Sequence, residues 1–118
     1  MIKAQRLSAI VPSTDIIKTK KFLIEVLEFE GLTLQCPDDH YAIVKTADTE
    51  LHLQATTGTP NEMSIYMHVE SVNNAWEKLK DLEGIKTKAP FIQDYGMKET
   101  HVILPHTNTL LFIGEDVG

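Results

Sequence analysis

The strongest constraint on this chain is that one short pattern of strands and a helix is written in it twice. Residues 7–12, LSAIVP, are apolar and β-branched and predict a strand. The residues STD (13–15) supply helix-capping side chains, and IIKTKKFLIEVLE (16–28) sets Ile16, Ile17, Phe22, Leu23, Val26 and Leu27 mostly on one helical stripe. Gly31 is the expected stop for this helix or its trailing turn. LTLQC (32–36), HYAIVKT (40–46) and TELHLQA (49–55) then alternate as half-buried strands joined by the short turns PDD and AD.

After the linker-like TTGTPN (56–61) the order restarts. MSIYMHV (63–69) predicts a strand. ESVNNAWEKLKDLEG (70–84) predicts a helix with Val72, Ala75, Trp76, Leu79 and Leu82 inward. IKTKAPF (85–91) is a strand that Pro90 confines to a sheet edge, QDYGM (93–97) a turn, and KETHVIL (98–104) and TLLFIG (109–114) a closing pair. The copies are offset by 56 residues, with Ser8 falling on Ser64. Each unit is too small to bury a core alone, so the two must share one. The expected fold is α+β: two βαβββ modules, about 6–55 and 62–115, within a single domain over 1–118. Their curved, mainly antiparallel sheets would carry helices on the convex side and leave a concave face for a ligand.

A length of 118 residues suits one core, and 42% hydrophobic with 24% charged content suits a soluble protein. A net charge of −6 argues against nucleic acid and anionic membrane surfaces as partners, and leans toward neutral or cationic ligands. No apolar run approaches a membrane span and the first residues lack a signal-peptide pattern, so a cytoplasmic location is expected. Cys36, the single cysteine, fits a reducing compartment and reads as a small strand residue.

Three stretches, in this order, resemble the glyoxalase / bleomycin-resistance / extradiol-dioxygenase (vicinal oxygen chelate) superfamily. AIVPSTDIIKTKKFLIEVLEFE looks like its opening strand and helix, IYMHVESVNNAWEKLKD like the start of its second module, and YGMKETHVILPHTNTLLFIGE like its closing hairpin. The resemblance runs from about Leu7 to Glu115 and implies a homodimer with pockets at or near the interface. In metal-using members, one ligand comes from the first and one from the last strand of each module. The corresponding positions here are Ser8, Ser64, the neighbourhood of His52 with Glu50, and Phe112. Serine and phenylalanine are poor partners for Zn, Ni, Fe or Mn. No metal and no other cofactor is therefore expected; a non-standard site would draw on His52 and His68. In the closing turn, Asn108 stands at or near the family's glycine, and asparagine tolerates the left-handed conformation well enough for the turn to survive.

Alternation groups Glu50, His52 and Gln54 on one strand face, Ser64, Tyr66 and His68 on another, and His101 with Ile103 on a third. His40 and His106 fall in turns and are expected to be exposed. The candidate pocket residues are Glu50, His52, Ser64, Tyr66, His68, Asp94, Tyr95, His101 and Phe112, with Phe91 either in the pocket or in the core. These histidines read equally as ordinary polar residues on a wet sheet face. The leading expectation is a metal-independent binder of a small organic molecule, with a cationic antibiotic as one candidate. The alternatives are a metal-dependent lyase, isomerase or dioxygenase, and a partner-binding domain with no ligand. No phosphate loop, Cys–x–x–Cys pair or nucleophile elbow is present.

Overall fold

The computed structural model describes residues 1–118. The first module runs β1 (Ala9–Ser13), α1 (Ile16–Glu25), β2 (Glu30–Gly31), β3 (Tyr41–Thr46) and β4 (Thr49–Ala55). The second runs β5 (Glu62–His68), α2 (Val72–Leu79), β6 (Thr87–Ile92), β7 (Met97–Ile103) and β8 (Asn108–Asp116). Each module makes one four-stranded sheet, ordered β1-β4-β3-β2 and β5-β8-β7-β6. In both, the first strand lies parallel to the last and the remaining pairs are antiparallel. The expected α+β fold of two βαβββ modules is what forms.

The register explains which residues face the helices. On β4, Leu51 and Leu53 are buried while Glu50 and His52 face the other way. On β8 the buried side chains are those of Thr109, Leu111 and Ile113. One apolar cluster takes in both modules, from Val11, Phe22, Leu23 and Leu53 to Leu79, Val102, Leu104 and Ile113. Truncating a fully buried member such as Leu53 to alanine should cost about 2–5 kcal/mol. Trp76 packs against this cluster, as its place on the helical stripe predicts. Thr109 Oγ1 is buried there with no hydrogen-bond partner.

Asp15 caps α1, its Oδ1 accepting from the Lys18 amide, and Ser71 caps α2 by accepting from the Asn74 amide. A second anchor for α2 comes from Glu115, whose Oε1 accepts from the Val72 amide at 2.8 Å, where the helix dipole favours a carboxylate. The two modules are tied where α1 begins. Thr19 Oγ1 donates to the Pro105 carbonyl at 2.8 Å and lies 2.7 Å from Ser13 Oγ, and the Thr14 amide donates to the His106 carbonyl at 3.0 Å.

Several local expectations are corrected. The helix expected over 16–28 ends at Glu25, because the chain reverses at Glu28 (φ 62°) rather than at Gly31. The helix expected over 70–84 spans only Val72–Leu79, and Gly84 (φ 74°) closes the turn after it. The strand expected over 32–36 is displaced: pairing is limited to Glu30–Gly31, with Leu32 N still donating to Ile43 O. The chain then leaves the edge before Pro37, so Cys36 is an exposed loop residue and not a strand residue. In the closing turn the left-handed residue is His106 (φ 65°), not Asn108. Asn108 instead opens β8 and donates from Nδ2 to the Pro60 carbonyl at 2.8 Å, fastening the linker. Pro90 lies on the edge strand β6, as expected, within a register shift between Lys88 and Phe91.

Candidate functional site

The helix-free face of the second sheet carries the richest chemistry. Pairing sets Tyr66 beside Phe112 and Phe112 beside His101; one step along, His68 lies beside Gly114 and Gly114 beside Glu99. The rings form a continuous row. Tyr66 stacks on Phe112 with centroids 5.9 Å apart, Phe112 meets His101 at 4.1 Å, and His101 meets Phe91 edge-on at 5.1 Å. His68 extends the row, 4.8 Å from Tyr66, and the Lys88 ammonium sits 4.0 Å from the centre of Phe91. Phe91 and Phe112 therefore belong to this face and not to the core.

Under the row lies Glu99, completely buried. Its Oε2 accepts from the hydroxyls of Tyr66 (2.8 Å) and Tyr95; its Oε1 accepts from His101 Nε2 (3.0 Å) and Gln93 Nε2 (3.2 Å). Burial pushes the carboxyl pKa up, but the hydrogen bonds from Tyr95, His101, Tyr66 and Gln93 together prevail and hold it at about 2. Burial, with the bond to Glu99, conversely raises Tyr66 to about 12. Tyr95 is also raised, chiefly by its bond to Glu99. The carboxylate is thus ionised and the phenols protonated over the ordinary pH range.

Glycine at position 114 makes this possible. A Cβ there would lie 2.0 Å from the Tyr66 hydroxyl oxygen and 2.6 Å from Cζ, so the phenol reaches Glu99 only across a bare Cα.

The first sheet carries a separate group. His52 Nδ1 lies 2.7 Å from the Tyr41 hydroxyl and His52 Nε2 lies 3.0 Å from Glu50 Oε1, while exposed Arg6 reaches Glu50 Oε2 at 3.3 Å. Nε2–H donating to the carboxylate leaves Nδ1 as acceptor for the phenol, so both ring nitrogens are engaged. No hydrogen bond or ring contact joins this group to the row on the second sheet. A cleft of about 520 Å³ is lined by Ile10, Pro12 and Gln54 of the first module and by Asn61 and Met63.

Of the residues singled out in the sequence, Tyr66, His68, Tyr95, His101 and Phe112 come together on the second sheet. Ser64 is two residues along the same strand face, beside Leu110, and makes no side-chain hydrogen bond. Glu50 and His52 pair with each other on the first sheet, apart from the rest. Asp94 is exposed on the 93–96 turn. His40 and His106 are exposed, as expected. Glu99, Gly114, Gln93 and Tyr41 were missed. Glu99 stands two residues before His101 on the face already grouped with His101 and Ile103, and a step of two along the strand would have found it.

These residues do not fit the divalent ion of the metal-using proteins that the sequence resembles. Ser8, Ser64 and Phe112 offer weak donors or none, and both nitrogens of His52 are spent. Nowhere in the chain do three or more His, Cys, Asp or Glu side chains converge in a way that could hold a metal.

No protein-family model matches the chain, and no curated sequence does. Solved structures do. The bleomycin-binding protein of Streptomyces verticillus, complexed with copper(II)-bleomycin, superposes with a TM-score of 0.75 at 19% identity, covering 96% of this chain and 97% of that one. The bleomycin resistance determinant of transposon Tn5 gives 0.78 at 19% identity, covering 96% and 98%. A glyoxalase-related enzyme from Clostridium phytofermentans gives 0.79 at 15% identity, covering 98% of each chain.

This is the glyoxalase/bleomycin-resistance fold.

Within that fold, the first and last strands of each module run side by side. The glyoxalase/bleomycin-resistance arrangement therefore brings Tyr66 against Phe112 in the second module and Ile10 against His52 in the first. An aromatic pair in one module answers an aliphatic–histidine pair in the other. No helix of the chain is long and apolar enough to cross a membrane.

Proposed function

We propose that the chain binds a small organic molecule without a metal ion, on the aromatic face of its second sheet. The observation that carries this reading is the row Tyr66–Phe112–His101–Phe91, a band of ring surface over a buried, ionised carboxylate. Aromatic walls with a few oriented polar groups are the composition of a ligand pocket. The neighbours solved with bleomycin support a bulky organic ligand of the antibiotic kind, held by sequestration with no bond broken. A metal-dependent lyase, isomerase or dioxygenase finds no support in the donor set just described.

The working unit in this reading is a homodimer. The row is an open face within one chain, and a second copy would supply the opposite wall, with the Tyr41–His52–Glu50 group as its natural counterpart. Sedimentation equilibrium should give twice the chain mass.

Thermal-shift screening of a library of organic ligands, run with and without a chelator, tests the reading. A ligand at a hundred times its dissociation constant should raise the melting temperature by roughly 10 °C. The shift should be unchanged by the chelator and lost in Tyr66→Ala. Hits that need a metal, or that survive Tyr66→Ala and Phe112→Ala alike, would sink it.

A further inference from the structure

The hydrogen bonds around Glu99 all run in one direction, and that direction constrains the ligand. Tyr66 and Tyr95 each own a single polar hydrogen, and both are given to Glu99 Oε2. In its neutral form His101 also owns one, and with its Nε2 3.0 Å from Glu99 Oε1 that nitrogen carries it. One N–H of Gln93 goes the same way. Two phenol oxygens and His101 Nδ1 are thereby left with lone pairs and no hydrogen to offer.

We propose that Glu99 is a specificity-determining residue: by taking the only polar hydrogens of Tyr66, Tyr95 and His101 it leaves these three groups beside the aromatic row as acceptors only, so that the site selects planar cations rich in N–H, of the amidinium or guanidinium class, over carboxylates and phosphates. This rests on the small-molecule reading above and narrows it to a chemical class.

Four observations agree with it. The buried charge is negative, and no lysine or arginine pairs with Glu99. Ring faces attract cations through their quadrupole, and the chain's own Lys88 already rests 4.0 Å from the centre of Phe91 at one end of the row. Tyr66 and Tyr95 are both solvent-exposed residues. The Glu99–Tyr66 bond also holds over a wide pH range, because Glu99 sits at about 2 and Tyr66 at about 12. An anion placed against these three groups would meet lone pairs and no donor hydrogen. An amidinium would find acceptors for its in-plane N–H groups and a ring beneath it.

Three probes of nearly identical shape test the proposal: benzamidinium (cation, donors only), benzamide (neutral, both) and benzoate (anion, acceptors only). Each is titrated to about 10 mM into the isotope-labelled full chain, above the ~1 mM dissociation constant expected of fragments this small. Tyrosine and histidine ring signals are followed by NMR. Benzamidinium should give saturating shifts at Tyr66, Tyr95 and His101, with benzoate at least about tenfold weaker. In Glu99→Gln the new amide donates to part of the cradle and turns hydroxyls outward, so the preference should shrink by about tenfold. Tyr95→Phe, on an exposed turn residue, removes one acceptor without endangering the fold and should weaken benzamidinium about threefold to tenfold while leaving benzoate unchanged.

Benzoate binding as tightly as benzamidinium at these rings would overturn the proposal and leave the small-molecule reading standing. A preference undiminished in both variants would also overturn it, because the net charge of the chain would then be its source. Silence from all three probes at these rings overturns it as well, and the library screen then judges the broader reading on its own.

Discussion

The phenol of Tyr66 lies directly across the Cα of Gly114, on the path to a carboxylate one strand further on. Tyr66 starts on β5, passes over β8 and ends on Glu99 of β7, so one side chain spans three strands. Gly114→Ala should push the ring off this path, break the bond to Glu99 and disturb the stack on Phe112. The expected cost is about 1–3 kcal/mol in urea unfolding. In a Tyr66→Ala background the same change should cost far less, because the clash and the bond are both gone. A double-mutant cycle with no coupling would refute the crossing.

Acid should destabilise the chain through Glu99. Its folded pKa, about 2, lies below the ordinary 4.5, so its contribution is present above about pH 4.5 and drains away as pH falls toward 2. Tyr66 works at the other end. Its folded pKa is raised from 10.0 to about 12, so the folded state holds a proton that the unfolded chain has lost, and stability should fall as pH rises through that window. Unfolding curves across pH should flatten at the acid end in Glu99→Gln and at the alkaline end in Tyr66→Phe.

Thr109→Val should be neutral or stabilising by about 1 kcal/mol. The threonine is wholly buried and its hydroxyl has no partner, so valine keeps the shape and removes an unsatisfied polar group. A clear loss in chemical denaturation would mean the hydroxyl has a partner after all.

His52→Ala should cost about 1–3 kcal/mol by leaving the Tyr41 hydroxyl and Glu50 without their shared partner. Its melting temperature, like that of the unaltered chain, should not respond to a chelator. A metal-dependent loss in the unaltered chain that vanishes in His52→Ala would point to ligation.

The alternation on β4 and β5 was legible because hydrophobic and polar residues change places at every step, and a one-residue slip would have buried His52 on the wrong side. The doubling of the pattern was legible for the same reason. What escaped was side-chain reach. Nothing in IYMHV says that Tyr66 extends across another strand, because that depends on a glycine 48 positions later. Glu99 was hidden in the polar run Lys98–His101 of β7, and its partners Tyr66 and Tyr95 come from a different strand and a turn. The edge at 32–36 escaped because alternation predicts an extended chain but not a partner for it. In the closing turn, composition pointed to Asn108, whereas strand pairing placed Asn108 opposite Glu62 and pushed the left-handed residue back to His106.

The ties at the start of α1 give the chain a direction in time. Thr19 and Thr14 bond to carbonyls of Pro105 and His106, whereas α2 is anchored by Glu115 of its own module. The second module thus carries its own fastening, and the first borrows one from residues near the far end of the chain. During synthesis the first half must leave the ribosome long before its anchor exists. Its helix should stay loosely docked until the last hairpin emerges, so a nascent chain stalled before Pro105 is expected to be far more protease-sensitive at α1 than one stalled after Glu115.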